Sequence, residues 1–360
     1  LLLLLIDMKT RFFEHSIHER NYGCRIREYL YRDLKTLTLE NELLRVSILA
    51  DKGTDIFEFL FKPLDLDVLW HSFNGVRSPR NFITGRMDPG SSFLDFYEGG
   101  WQELFPSIGD DCEYLGAPLG THGEVCLLPW EYRIERDDPQ EISVRFRVRT
   151  VRTPYLLEKT LTLKGEDPTL YIEERVTNEG VEKLQFMWGH HPAFGPLFLD
   201  ETCRIEVPAG CRARTVPYEL GEHWVLPKDT EFEWPKIKGL DGTLWDLSRV
   251  PPPDSRVFQM FYLYDLPEGR YGLYNSNFGV RFNLKWDRKI FPVLWVWAPY
   301  GGAMGYPWYG RNYNLALEPW SAVPHNLARI AEENRGIHIA PGQTITTSLE
   351  ATISNTSSKD

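Results

Sequence analysis

From residue 36 onward the chain alternates apolar and polar side chains with a period of two, as in TLTLENELLRVSILA, EISVRFRVRTV, LEKTLTLKG, PTLYIEERVTNEG, KLQFMWG, VRFNLKW, FPVLWVWAP and QTITTSLEATI. Successive side chains point to opposite faces only along a strand, so each run reads as a strand with one buried face. Turn formers such as Lys164-Gly165-Glu166-Asp167-Pro168 and Asn178-Glu179-Gly180 close the runs. Strands thus follow one another at hairpin spacing with no βαβ rhythm, which predicts an all-β fold: a large antiparallel, twisted β-sandwich. Short helices are expected only around 99–104 and 328–334, and the Pro- and Gly-rich stretches 250–254 and 299–307 read as loops between strands. With no composition shift and no fixed-period repeat, residues 1–35 read as a peripheral N-terminal lead-in and 36–360 as a single β-sandwich domain.

Composition narrows the ligand. Aromatics make up 14% of the 360 residues, with 12 Trp, a surplus of flat side chains of the kind that line sites for ring-shaped ligands. The net charge is -11, and no basic run occurs, which argues against a nucleic-acid or anionic-membrane partner and for a neutral or weakly polar one. Cys24, Cys112, Cys126, Cys203 and Cys211 are odd in number and lack a CxxC spacing, so they read as reduced thiols; Cys203 and Cys211 are the one pair placed to meet across a hairpin. The opening LLLLLID is too short to span a bilayer and has neither a basic stretch before it nor a small-residue cleavage site after it, so it reads as a product of truncation. The expected location is cytoplasmic.

Three segments set an ionisable group beside Gly or Pro at a strand end: Gly120-Thr121-His122-Gly123-Glu124, Gly189-His190-His191-Pro192 and Leu317-Glu318-Pro319-Trp320. The glycines around His122 permit close backbone approach and unusual torsion angles, although an exposed tight turn would use the same residues. KLQFMW reads as a buried strand that Pro192 ends, and strand alternation lets only one of His190 and His191 face a given cleft. The other is then a structural histidine. Adjacent histidines without HxxxH, HExxH or nearby Cys or Asp ligands do not make a metal site, so neither metal nor cofactor is expected. Apolar neighbours would desolvate Glu318 and raise its pKa toward that of a general base, unless Arg311 or Arg329 pairs with it.

The order of these motifs, a Gly-flanked HG, a strand ending in His-Pro with an aromatic two residues later, and a late Leu-Glu-Pro, resembles the aldose 1-epimerase (galactose mutarotase-like) family. TLTLKGEDPTLYIEERVTNEG running into HHPAFG, and VLWVWAP ahead of LALEPW, add to the resemblance, which covers most of 36–352. It implies a many-stranded β-sandwich with its site on the concave face of one sheet, an isomerase that interconverts α and β anomers of a free sugar. It makes His191 the general acid, Glu318 the general base and His122 a ligand of the sugar near its ring oxygen; His190, where the family carries Asn or another small polar residue, is a candidate substrate ligand or else ordinary structure. Arg86 stands in for the family's arginine before the HG histidine, and Asp241, Asp246 and Asp265 are the candidates for its substrate-orienting aspartate. The acidic, aromatic stretch Tyr97-Glu98-Gly99-Gly100-Trp101-Gln102-Glu103 ahead of His122 could reach the cleft, with Gln102 and Glu103 as further candidate substrate ligands, and Trp101, Trp130, Trp188, Trp297 and Trp320 are candidate stacking platforms. The expected partner is a monosaccharide or small carbohydrate, bound by a monomer or homodimer. Two other readings stay open: a non-catalytic carbohydrate-binding protein, and a polysaccharide-cleaving enzyme using Glu318 with Glu103, for which hydrolysis would want carboxylates about 5–10 Å apart.

Overall fold

A computed structural model of the chain describes residues 20–80, 89–323 and 326–355. The LLLLLID stretch and Arg86 lie outside them. The periodic runs fold as antiparallel hairpins. The first run becomes Leu34–Glu40 and Leu44–Leu49, joined where the Asn41 side-chain carbonyl accepts from the Leu43 and Leu44 N–H groups at 2.8 and 2.7 Å. Tyr155–Lys164 and Thr169–Asn178 pair over nine residues, and Thr344–Asn355 adds to the second of them.

Among the described residues the strands gather into two main sheets. The larger runs in the order Arg25–Tyr31, Leu34–Glu40, Leu44–Leu49, Asp55–Phe61, Trp101–Leu104, Gly189–Phe194, Leu315–Trp320, Val293–Ala298, Gln259–Tyr264, Arg212–Thr215 and Glu231–Glu233, with the short Leu66–Asp67 beside Asp55–Phe61. The smaller runs Cys203–Glu206, Arg270–Asn275, Val280–Trp286, Thr344–Asn355, Thr169–Asn178, Tyr155–Lys164, Glu141–Arg149 and Glu131–Asp137. The alternation of each strand fills the space between the sheets: Phe59 and Phe194 of the larger meet Phe282 of the smaller, with ring centroids 5.5 and 5.0 Å apart. Each such fully buried side chain contributes about 1.5–3 kcal/mol. The chain is therefore the antiparallel β-sandwich that its pattern predicts.

Two local expectations fail for physical reasons. The stretch around 99–104 is not a helix: Trp101–Leu104 is a central strand, because its backbone is needed between Asp55–Phe61 and Gly189–Phe194 and tertiary pairing overrides local preference. The α-helices among the described residues are Pro89–Phe96 and Leu327–Glu332. Pro192 does not end its strand, which continues to Phe194 with Ala193 paired to Ala316. Strand Arg25–Tyr31, inside the expected lead-in, pairs along its whole length with Leu34–Glu40 at the sheet's edge. All five cysteines are free thiols, so Cys203 and Cys211 do not bond to each other.

Candidate functional site

Register decides which side chains share a face. His191 lies opposite Gln102, and His190 opposite Glu103, so the two histidines of one strand face opposite ways. Gly189 pairs with Trp320 and Ala193 with Ala316, which sets Glu318 across from His191 on the same face. Between those two pairs the ladder is interrupted, where Pro192 has no N–H to give. Trp295 and Trp297 lie opposite Glu318 and Ala316 on the next strand, and Met260 opposite Trp297 on the one beyond.

These side chains floor a cavity of about 200 Å³ on the face turned away from the smaller sheet. Phe93 and Leu94 of the helix Pro89–Phe96, Trp308 and Tyr218 wall it, and His122, Thr121, Asp110 and Tyr97 complete its polar lining. His191 Nε2 is 3.4 Å from Glu318 Oε1, and His191 Nδ1 is 3.2 Å from the Tyr97 hydroxyl. The His122 ring stands 5.5 Å from that of His191, centroid to centroid. Trp295 and Trp320 stack face to face at 4.8 Å beside them.

The loop that carries His122 is built by its glycines. His122 has φ 64° and Gly123 φ 81°, and a Cβ on Gly123 would lie 2.2 Å from the Phe105 carbonyl oxygen. His122 Nδ1 donates to the Ile108 carbonyl at 2.8 Å, which leaves Nε2 as an acceptor. Burial holds His122 neutral, lowering its pKa to about 4, and burial together with the neighbouring His122 lowers His191 to about 3. Burial pushes Glu318 well above the ordinary carboxylate range, opposed by the Trp320 indole N–H. Neither Arg311, which lies over the Phe73 ring, nor Arg329, which pairs with Glu333, reaches Glu318. Imidazole and carboxyl thus rest as a neutral pair holding one transferable proton.

His190 and Glu103 are placed elsewhere. On the inner face His190 Nε2 is 3.0 Å from Glu174, and Trp101 donates to His190 Nδ1 at 3.2 Å. Glu103 accepts from Lys159 at 2.9 Å and from the Trp188 indole at 2.9 Å. The strand's alternation sends both into the space between the sheets, so they meet no ligand in the cavity, and Glu318 and Glu103 cannot flank one bond from it. Gln102 shares the face of His191, but its amide donates to Glu98 and to the Gly99 carbonyl and it does not line the cavity. Asp241 caps Thr243 in an exposed turn, Asp246 binds Ser248 and Arg249, and Asp265 lies beside Arg212; none borders the cavity. Of the candidate platforms, Trp297 and Trp320 line it, whereas Trp101, Trp130 and Trp188 pack in the core.

Tyr97 brings the aromatic stretch 97–103 to the cavity, and Asp110, Tyr218, Trp295 and Trp308 belong to the lining with no motif to mark them. Trp295 sits in the alternating VLWVWAP, where its phase with Trp297 was a readable signal; the others lie in segments with no period to read. A buried Lys52 bonded to both Asp55 and Glu98 holds the turn after Tyr97.

A family model described as Domain of unknown function (DUF4432) matches residues 32–222, over half of the sequence. The chain belongs to this family. Solved structures supply the fold likeness. A Klebsiella pneumoniae protein provisionally described as an aldose 1-epimerase superposes with a TM-score of 0.68 at 13% identity, over 92% of this chain and 84% of its own. A galactose mutarotase-like protein from Clostridium acetobutylicum gives 0.61 at 14% identity, over 92% and 99%. One from Lactobacillus casei gives 0.59 at 15%, over 89% and 100%. The DUF4432 chain has the fold of galactose mutarotase-like proteins. No curated protein resembles its sequence significantly. No helix among the described residues is long and apolar enough to cross a membrane.

Proposed function

We propose that the protein interconverts the anomers of an uncharged free sugar. The observation that carries this reading is the His191–Glu318 contact, 3.4 Å across the floor of an aromatic-walled cavity, with His122 alongside. Ring opening needs one proton taken from the anomeric hydroxyl and one given to the ring oxygen, as the C1–O5 bond breaks and an aldehyde forms. With the shared proton on His191, Glu318 takes the hydroxyl proton while His191 protonates the ring oxygen. That leaves the pair neutral, the form that burial favours. After rotation about C1–C2 the same two transfers run backward and close the ring on the other face.

His122, neutral and with Nε2 unprotonated, accepts a hydrogen bond from a sugar hydroxyl. No Lys or Arg lines the cavity among the described residues, and its acidic members are Asp110 and Glu318. Burying a sugar phosphate there would leave its charge unpaired. The test is saturation-transfer NMR or polarimetry on a panel of free aldoses and their phosphates. Acceleration is expected for a neutral aldose. If none is accelerated while a sugar still binds, the protein is a carbohydrate-binding module on the same scaffold.

A further inference from the structure

Tyr97 is bound to His191 in a way that the acid–base reaction alone does not require. Its hydroxyl lies 3.2 Å from Nδ1, on the side of the ring opposite Glu318, and it lines the same cavity. The ring is thus bracketed, with a carboxyl at Nε2 and a phenol at Nδ1. We infer that Tyr97 is a positioning residue: its oxygen accepts the Nδ1–H of His191, so that the neutral ring keeps its hydrogen on Nδ1 and presents the Nε2 lone pair to Glu318 and the cavity.

Two features support this direction. Glu318 Oε1 stands 3.4 Å from Nε2 and is itself buried without a hydrogen-bond partner among the described residues; a protonated Glu318 therefore has in Nε2 an acceptor one small approach away, and the chain of donors then runs from Glu318 through the imidazole to the phenol. Burial keeps the phenol protonated, so it stays a neutral acceptor whose own hydrogen is free to turn into the cavity. His122 is fixed the same way by the Ile108 carbonyl at its Nδ1. Two facing imidazoles then carry the same tautomer, each held at Nδ1 and each offering Nε2. The partner at one nitrogen sets the proton on the other, and a wrong tautomer places N–H where a lone pair must accept.

The tautomer is read directly by long-range ¹H–¹⁵N NMR of the full-length protein with labelled histidine, with His191 assigned by the resonances lost in His191→Gln. The wild type is expected as Nδ1–H, and Tyr97→Phe as a mixture of tautomers. In turnover, a part that rests on the anomerisation reading, Tyr97→Phe is expected to lower kcat roughly tenfold or more with KM little changed, in line with loss of a well-poised acid or base. An Nε2–H ring in the wild type, or identical tautomers in the two proteins, would overturn the inference. The wild-type spectrum decides even if Tyr97→Phe fails to fold. A wild type with the Nδ1–H ring but no activity on any sugar would sink the function and leave the positioning role standing.

Discussion

Two residues that differ in what surrounds them make opposite predictions about rate and stability. Among the described residues no Lys or Arg pairs with Glu318 beside His191, so Glu318→Gln removes the proposed base while nearly preserving shape. Anomer exchange is expected to fall by about 10²–10⁴-fold with sugar affinity retained, measured by exchange NMR and by titration calorimetry. His122 instead carries a pH signature. Its folded pKa of about 4 lies below the ordinary 6.5, so below pH 6.5 the unfolded chain binds more protons and stability falls as pH drops toward 4. The stability is fully present above pH 6.5, and the loss is on the order of 3 kcal/mol. Urea midpoints across that window are expected to fall less steeply in His122→Gln than in the wild type; equal slopes would mean the imidazole is not held neutral. At this scale the sequence was legible where a motif carries its own context: HG, His-Pro and Leu-Glu-Pro name the three groups that meet. Tyr97 was legible only as the first residue of an aromatic stretch near the cleft; its contact with His191 was not, because it sits in no periodic run and the contact spans 94 positions.

Elements explain why those groups meet with the geometry they have. The strands Trp101–Leu104, Gly189–Phe194 and Leu315–Trp320 are neighbours in the sheet, so residues far apart in the chain are set side by side by ladder hydrogen bonds. Alternation is readable within each run, but which runs are neighbours is not, and this is why the sequence alone points Glu103 at the cleft. Only its pairing with His190, which faces Glu174, reveals that it points inward. The segment 99–104 misled for a related reason: its length and composition suit a short helix, and only its two strand partners make it extended. The loop holding His122 depends on Gly123, whose φ of 81° and approach to Phe105 leave no place for a Cβ. Gly123→Ala is expected to cost about 1–3 kcal/mol in strain, read as a lower melting temperature, and to weaken sugar binding by moving His122. Unchanged melting and affinity would show that the loop absorbs the Cβ.

Among the described residues the two sheets are joined by an apolar core crossed by a buried polar seam. Lys159 of the smaller sheet meets Glu103 of the larger, and Glu174 meets His190. Removing one member of a buried pair leaves the other uncompensated, so Lys159→Met is expected to lose about 3–5 kcal/mol of unfolding free energy in urea titrations. Adding Glu103→Gln is expected to restore part of that loss, and strict additivity would show that the two groups are not coupled. The architecture itself was legible from the period-two pattern, since a hairpin sequence without helices has few ways to bury its faces. The division of labour within one strand has a consequence for divergence. His190 and His191 are adjacent, yet one is committed to holding the sheets together and the other to the cavity. Along Gln259–Tyr264 and Val293–Ala298, Met260, Trp295 and Trp297 likewise border the cavity, while Phe261, Leu294 and Val296 lie one step away on the reverse side. Exchanging the first set would reshape the cavity and leave the sheet contacts of the second untouched, so the lining can change at every second position while the scaffold rests on the positions between.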